Sequence, residues 1–520
     1  MQNSKKASAD DCECTISFKD YLFKNKRNRT ILWGVALSSV TLFSVFKYFY
    51  PFASYIHGDS FSYLDAAYQN LRINTYMIGY SKFLRLFSVF TVSDIALTAF
   101  QYLCLQAGSL FLLFTMFYFY VPGRWIKRIL LIFLVFNPLY LYMGNLVSSD
   151  ALFLSLSLTW FSLLLWIIHR PSIQLIAWHT IVIFLVFTIR YNALMYLFIS
   201  IPAFALSQQP LRWKAWGIIS STLVIVLFIA YTGHRYKELT GTWQYSPFAG
   251  WQMANNAMYA YRYVDSADRK PVPPRFRPLD NMVRKYFDTS RNIQTHPAEM
   301  FLASTVYMWD PRSPLYIYRN TLFGKDSTTV ELKKWASMGP LYKDYGWYII
   351  RQYPGLFASY FLWPNANKYY APPIEFLGSY NSNKDSVTPI AKVWFRYASQ
   401  KVTTRTKDKK IQILDFYPIL SGVINAAMLF GLLFFILLDG FRQPGPFRKG
   451  IALAGAVWIL NAAFTIFASS AALRFQAFPI LLTGFTVGLL VDWLWKIATR
   501  PMTQPSKPDI VIIQNETLTT

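Results

Sequence analysis

The chain has 520 residues, of which 54% are hydrophobic, 18% aromatic and only 15% charged. A soluble domain carries roughly 25% charge, so this composition excludes a disordered chain, a coiled coil and a disulfide-stapled module, and indicates a polytopic membrane protein. The formal net charge of +25 lies largely beside apolar spans, with no nucleic-acid motif among them, so the partner it implies is an anionic lipid surface and not nucleic acid.

In chain order, a charged tail over 1–30 leads into Ile31–Tyr50, which reads as an uncleaved signal-anchor. A loop over 51–94 follows. Six more apolar runs come next, near Ile95–Tyr120, Lys127–Met143, Asp150–Ile168, Ile173–Thr188, Tyr191–Leu206 and Ala215–Tyr231. Residues 31–232 thus form a seven-span module, in which the short fifth run can pair with the sixth as a hairpin. Residues 233–412 are rich in Tyr, Trp and Pro. They read as one soluble, mostly helical domain, with helices near Val330–Met338 and Tyr345–Leu362 and a turn opened by Pro354. Three final runs, Leu414–Leu438, Ile451–Ala468 and Phe475–Trp495, lie within a second membrane module over 413–497. A polar tail over 498–520 reads as disordered. Cys12 and Cys14 fall in the first tail and Cys104 inside a span, which excludes a disulfide framework or a zinc spacing.

Ten spans place both termini on one side. With that side cytoplasmic, 19 basic residues fall inside, among them Lys24, Lys26, Arg27, Arg124, Lys127, Arg128 and Arg448. The short outer segments and span ends hold six: Lys47, Arg72, Lys82, Arg85, Arg190 and Arg474. The bases at Arg405, Lys407, Lys409 and Lys410 oppose this orientation, but long domains cross membranes largely regardless of charge. The 233–412 domain is therefore expected outside.

Carboxylates are costly in a bilayer, so their placement is informative. Residues 31–232 hold four acids, Asp59, Asp65, Asp94 and Asp150. All four, with Arg190 and Arg474, fall on the outer side of this topology, where adjacent helix ends would line a cavity. Each also has a plainer reading. Asp59, Asp94 and Asp150 stand where helices begin and can serve as caps. The arginines can snorkel to lipid phosphate. Asp65 lies six residues after Asp59, about 240° around a helix, so the two do not share a face.

The order of these features resembles the C-type (GT-C) membrane glycosyltransferases. The matching elements are Gly58-Asp59-Ser60-Phe61-Ser62-Tyr63-Leu64 in the first loop, then Met77-Ile78-Gly79-Tyr80 leading into a short amphipathic helix. They continue with Asn137-Pro138, Ser148-Ser149-Asp150-Ala151-Leu152-Phe153, Arg190-Tyr191-Asn192-Ala193 and the late Leu473-Arg474-Phe475-Gln476-Ala477-Phe478-Pro479. The resemblance covers about 31–232 and 413–495. It implies an all-α bundle of about ten transmembrane helices with a mostly α extracytoplasmic domain, and inverting transfer of a sugar from a polyprenyl-phosphate donor to an extracytoplasmic glycan, lipid or protein.

In that expectation Asp59 is the general base, and Arg474 and Arg190 bind the donor phosphate. Asp150, His57 and Asp65 face the acceptor or orient other groups. Two features depart from the family. Several relatives carry two adjacent acids where this chain has Asp59-Ser60, which leaves divalent-metal use open and no cofactor assigned. Many relatives also carry their large domain at the C-terminus. A polytopic transporter or lipid flippase is the first rival, and a non-catalytic membrane scaffold the second. The only sequons, at Asn28 and Asn515, fall on the cytoplasmic side, which favours a bacterial inner membrane with the site facing the periplasm.

Overall fold

A computed structural model describes residues 16–324, 328–406 and 408–499. Cys12, Cys14, the Asn515 sequon and all but the first two residues of the 498–520 tail lie outside them. The described residues form helices throughout, with three isolated β-bridges and no strand.

α1 (Lys26–Phe49) starts at Asn25, whose side-chain oxygen accepts from the Arg27 and Asn28 N–H groups. The first loop carries α2 (Asp59–Tyr68) and the strongly amphipathic α3 (Gly79–Phe87). α4 (Asp94–Tyr120) is capped by the Ser93 side chain. The third apolar run recurs as one candidate span, Arg124–Gly144, kinked between α5 (Arg124–Val135) and α6 (Pro138–Gly144). Pro138 cannot donate to the previous turn and disfavours helix at the residue before it. It sits instead at the first position of α6, with Asn137 as the cap. α7 (Asp150–His169), α8 (Ile173–Ile189), α9 (Leu194–Leu206) and α10 (Leu211–Thr240) complete the first membrane module.

Among the described residues eight helical segments, the kinked Arg124–Gly144 counted as one, are long and apolar enough to cross a membrane, and Ile173–Ile189 and Tyr191–Leu206 are apolar but shorter. α7 and α4 are central, with 83% and 72% of their most apolar stretch buried against 17% in α1 and 22% in α10. The outer helices turn Trp33, Leu37, Leu223 and Leu227 outward. A helix apolar on all sides needs protein or lipid around it, so these faces meet the bilayer.

α10 runs on to Thr240, and residues 251–361 build a second aromatic core around α11 (Pro247–Tyr261) and α12 (Gly339–Gln352). Trp251 stacks on Trp335 at 5.6 Å and meets the Tyr342 ring edge-on at 4.7 Å. The helix expected over Val330–Met338 spans Glu331–Ser337, and Pro354 opens a new helix after a break at Tyr353. Buried acids here are satisfied locally. Asp280 accepts from Tyr261, Tyr345 and Arg284, and Glu299 accepts from Tyr286, Tyr307 and Arg291.

α13 (Trp363–Tyr370) follows, and residues 374–411 then fold back onto the bundle core. They grip the first loop directly. Tyr380 donates to the Ala53 carbonyl at 3.2 Å, the Asn381 N–H to Ser54 Oγ at 2.9 Å, and Ser382 Oγ to the Tyr55 carbonyl at 3.1 Å. α14 (Tyr417–Leu437), α15 (Phe447–Ala468) and α16 (Leu473–Ala498) close the bundle.

α11 and α12 cross with their backbones touching. A Cβ on Gly250 would stand 2.0 Å from the Gly339 carbonyl oxygen, and one on Gly346 2.7 Å from the Ala254 nitrogen. Overpacking a rigid contact costs about 1–3 kcal/mol. Gly250→Ala is therefore expected to lower the melting temperature of the detergent-solubilised protein. A melting curve equal to wild type would contradict the close crossing.

Candidate active site

The first loop is pinned before it reaches Asp59. The Ala53 N–H donates to Asp94 Oδ2 at 2.8 Å, the Ser54 N–H to the Asn145 carbonyl at 2.8 Å, and the Val147 N–H to the Ser54 carbonyl at 3.0 Å. Ser93, not Asp94, caps α4, which frees the Asp94 carboxylate to hold this loop. Gly58 turns the chain into α2 with φ +101°, a conformation open to glycine and costly for other residues. Asp59 is the first residue of α2 and makes no capping bond. Its carboxylate accepts from the Tyr76 hydroxyl at 2.7 Å and from Arg474 Nη2 at 2.8 Å.

Arg474 is the second residue of α16. Its guanidinium lies between the rings of Phe376 and Phe475, 4.3 and 4.4 Å from their centroids, which fixes its plane. It reaches Asp59 with one nitrogen and Asp150 Oδ2, at 3.3 Å, with another. Asp150, the first residue of α7, also accepts from Ser148 and from Arg190. Arg190 ends α8, and its Nε donates to Ser149 Oγ at 3.2 Å. The result is one continuous chain, Tyr76–Asp59–Arg474–Asp150–Arg190, built from the ends of four helices and the first loop. The Asp150 side chain is 0% exposed and that of Arg474 4%, against 19% for Asp59, so Asp59 is the more accessible of the two carboxylates. Arg474 Nε is buried, and among the described residues no acceptor meets it.

The link before Arg474 is clamped from the 363–373 segment. Asn365, fully buried on α13, donates to the Thr465, Ile466 and Ser469 carbonyls and accepts from the Ala471 N–H at 3.0 Å. The Leu473 N–H donates to the Pro373 carbonyl at 2.9 Å. Tyr76 extends the site toward the second core through rings at Tyr63, Phe248 and Trp309, 5.3, 6.2 and 5.9 Å away.

Four of the six residues singled out from sequence therefore meet: Asp59, Arg474, Asp150 and Arg190. Arg190 reaches Asp59 only through Asp150 and Arg474. Asp65 stands apart, half-buried, with both carboxylate oxygens accepting from the Gln69 side chain at 2.8 Å. His57 turns to the 374–411 segment, where Lys384 Nζ lies 3.2 Å from its Nδ1. Burial and the Lys384 ammonium lower the pKa of this imidazole, so it is neutral at pH 7.

The sequence reading missed Tyr76 and Phe376, and it gave no role to Ser149 within the Ser148-Ser149-Asp150 element. Tyr76 directly precedes the Met77-Ile78-Gly79-Tyr80 element, but nothing local marks it as a carboxylate partner. Glu375 was also missed. It sits beside Phe376 with φ +44° and pairs with Lys368 at 3.7 Å. Among the described residues no three His, Cys, Asp or Glu side chains gather as a metal site.

Burial raises the Glu375 carboxyl above its ordinary 4.5, against the pull of Lys368 and Arg474. The folded chain thus holds this proton at pH values where the unfolded chain has released it. The contribution of Glu375 to stability is complete below pH 4.5 and is lost as pH rises through the raised folded value. Glu375→Gln is expected to remove that loss and to gain on wild type between pH 4 and pH 7 in melting temperature. A difference independent of pH would contradict it.

These elements define an all-α, multi-pass membrane protein whose buried arginine–carboxylate chain closes one end of its helix bundle. Comparison with protein-family models, curated proteins and solved structures found no match.

Proposed function

We propose that the protein is an inverting membrane glycosyltransferase that takes a sugar from a polyprenyl-phosphate carrier. The observation that carries this reading is the direct Asp59–Arg474 pair, continued to Asp150 and Arg190. Two arginines balance two carboxylates at rest. A donor phosphate oxygen competes for Arg474, whose Nε still has a free donor position, and so releases Asp59. The acceptor oxygen then bonds to the anomeric carbon as the bond from that carbon to the phosphate oxygen breaks. Asp59 takes the hydroxyl proton, and Arg474 with Arg190 holds the charge gained by the departing phosphate.

Trp309, Phe248 and Tyr76 offer ring faces for a sugar beside Asp59. The polyprenyl tail stays in lipid. In this reading the shorter helices α8 and α9 complete ten spans, the 233–412 segment lies outside the cytoplasm, and the membrane is a bacterial inner membrane. A transporter fits less well, because its polar groups belong near mid-membrane on broken helices, whereas these stand at helix ends.

Two measurements test the reading. One is sugar transfer from a polyprenyl-phosphate donor in membrane vesicles, which must depend on Asp59. The other is labelling of His57→Cys by an impermeant thiol reagent from outside spheroplasts, which must succeed.

A further inference from the structure

In the chain Tyr76–Asp59–Arg474–Asp150–Arg190, only Tyr76 carries no charge. Its hydroxyl donates to Asp59 Oδ1 at 2.7 Å, while Arg474 Nη2 donates to Asp59 Oδ2 at 2.8 Å. The two carboxylate oxygens therefore answer to donors of different kinds. A guanidinium orients the carboxylate and neutralises it, whereas a phenol orients it and leaves its charge in place. The phenol is itself firmly placed. Two residues before it, the buried Asn74 side chain donates to the Ser62 carbonyl on α2 at 3.2 Å and accepts from the Thr75 N–H at 2.8 Å. The Tyr236 hydroxyl on α10 donates to the Asn74 carbonyl at 2.6 Å. The Tyr76 ring then packs against Tyr63 on α2 and against Phe248 and Trp309 of the second core.

We propose that Tyr76 is the positioning residue of the Asp59 base and that Asp59 Oδ2 is the oxygen that takes the proton. This assignment rests on the sugar transfer proposed above. A donor phosphate draws Arg474 away from Oδ2, and Oδ1 stays on Tyr76. The carboxylate then keeps one neutral donor that fixes its direction, and its other oxygen is left to meet the acceptor hydroxyl with the charge a base needs. The proton passes to Oδ2 as the acceptor oxygen bonds to the anomeric carbon, and the phosphate leaves with the electron pair of the broken bond. Tyr76 does not act as the base itself. Burial, with the Asp59 carboxylate beside it, raises its hydroxyl well above the ordinary 10.0, so it stays a donor.

The test is a double-mutant cycle on Asp59→Asn and Tyr76→Phe, with transfer from a radiolabelled polyprenyl-phosphate donor measured in membranes carrying equal amounts of each full-length protein. Tyr76→Phe removes one oxygen and keeps the ring in its seat, so the melting temperature in detergent should stay close to wild type. Its kcat should fall about 10- to 100-fold with donor KM unchanged, the usual cost of losing a hydrogen bond to a charged group that must stay aligned. In the Asp59→Asn background the same change should cost nothing further, because no base is left to position. An equal fractional loss in both backgrounds would make Tyr76 a packing or sugar-binding residue and overturn the proposal. So would a kcat within about a factor of three of wild type, a rise in donor KM alone, or a large fall in melting temperature. Failure of the transferase reading looks different: Asp59→Asn then transfers as well as wild type, or wild type does not transfer at all, and the assignment of Tyr76 falls with it.

Discussion

Asp59→Asn is expected to cut sugar transfer from a polyprenyl-phosphate donor by roughly 10²- to 10⁴-fold, the usual loss when a positioned general base is removed. Asparagine keeps the shape, and its carbonyl oxygen can still accept from Tyr76 at the 2.7 Å position the carboxylate uses now. Arg474 keeps Asp150 as a partner, so the fold should survive. Arg474→Gln removes the proposed phosphate partner instead, with an expected loss of about 10²- to 10³-fold. The two variants should differ in kind. Asp59→Asn acts on kcat with donor KM little changed, because the base does its work in the transition state. Arg474→Gln raises donor KM as well, because the phosphate is present in the ground state too. Radiolabelled donor in membranes carrying equal amounts of each protein measures both. Asp59→Asn retaining transfer within about a factor of ten of wild type would refute the base assignment.

Asp150→Ala should act on stability before chemistry. Its side chain is 0% exposed and takes hydrogen bonds from Ser148, Arg190 and Arg474 together. Removing it leaves two guanidinium groups facing a buried space. Breaking a buried ion pair from one side costs about 3–5 kcal/mol. The expected result is a large fall in melting temperature in detergent, or loss of the folded protein from membranes. Asp59→Ala should cost far less, because that side chain is 19% exposed and Arg474 keeps its second partner. Equal destabilisation by the two alanines would contradict this ordering. Unequal destabilisation is what the proposed division of roles requires, with Asp150 holding the arginines and Asp59 the less deeply buried carboxylate.

Much of this architecture was readable from the chain alone, for a physical reason. Hydrophobicity over a bilayer length is a local property, so eight of the ten apolar runs recur as long apolar helices and the other two as shorter ones. Pro138 lies within the third span, and the kink it imposes between α5 and α6 comes from its missing N–H and its backbone clash. Scarcity of charge also made the acids conspicuous, and Asp59, Asp150, Arg190 and Arg474 stood out for that reason.

What the chain by itself determined was therefore membrane insertion, the helical class and the few charged residues whose burial demands an explanation. Only the tertiary structure decided which of them meet. Asp59 and Arg474 are 415 residues apart and Asp150 and Arg474 are 324 apart, and no periodicity reaches across such distances. The same holds for Tyr76 on Asp59, Phe376 on Arg474 and the Asn365 clamp. Each is a polar or aromatic residue among many, and each acquires its role only when the fold brings its partners within reach.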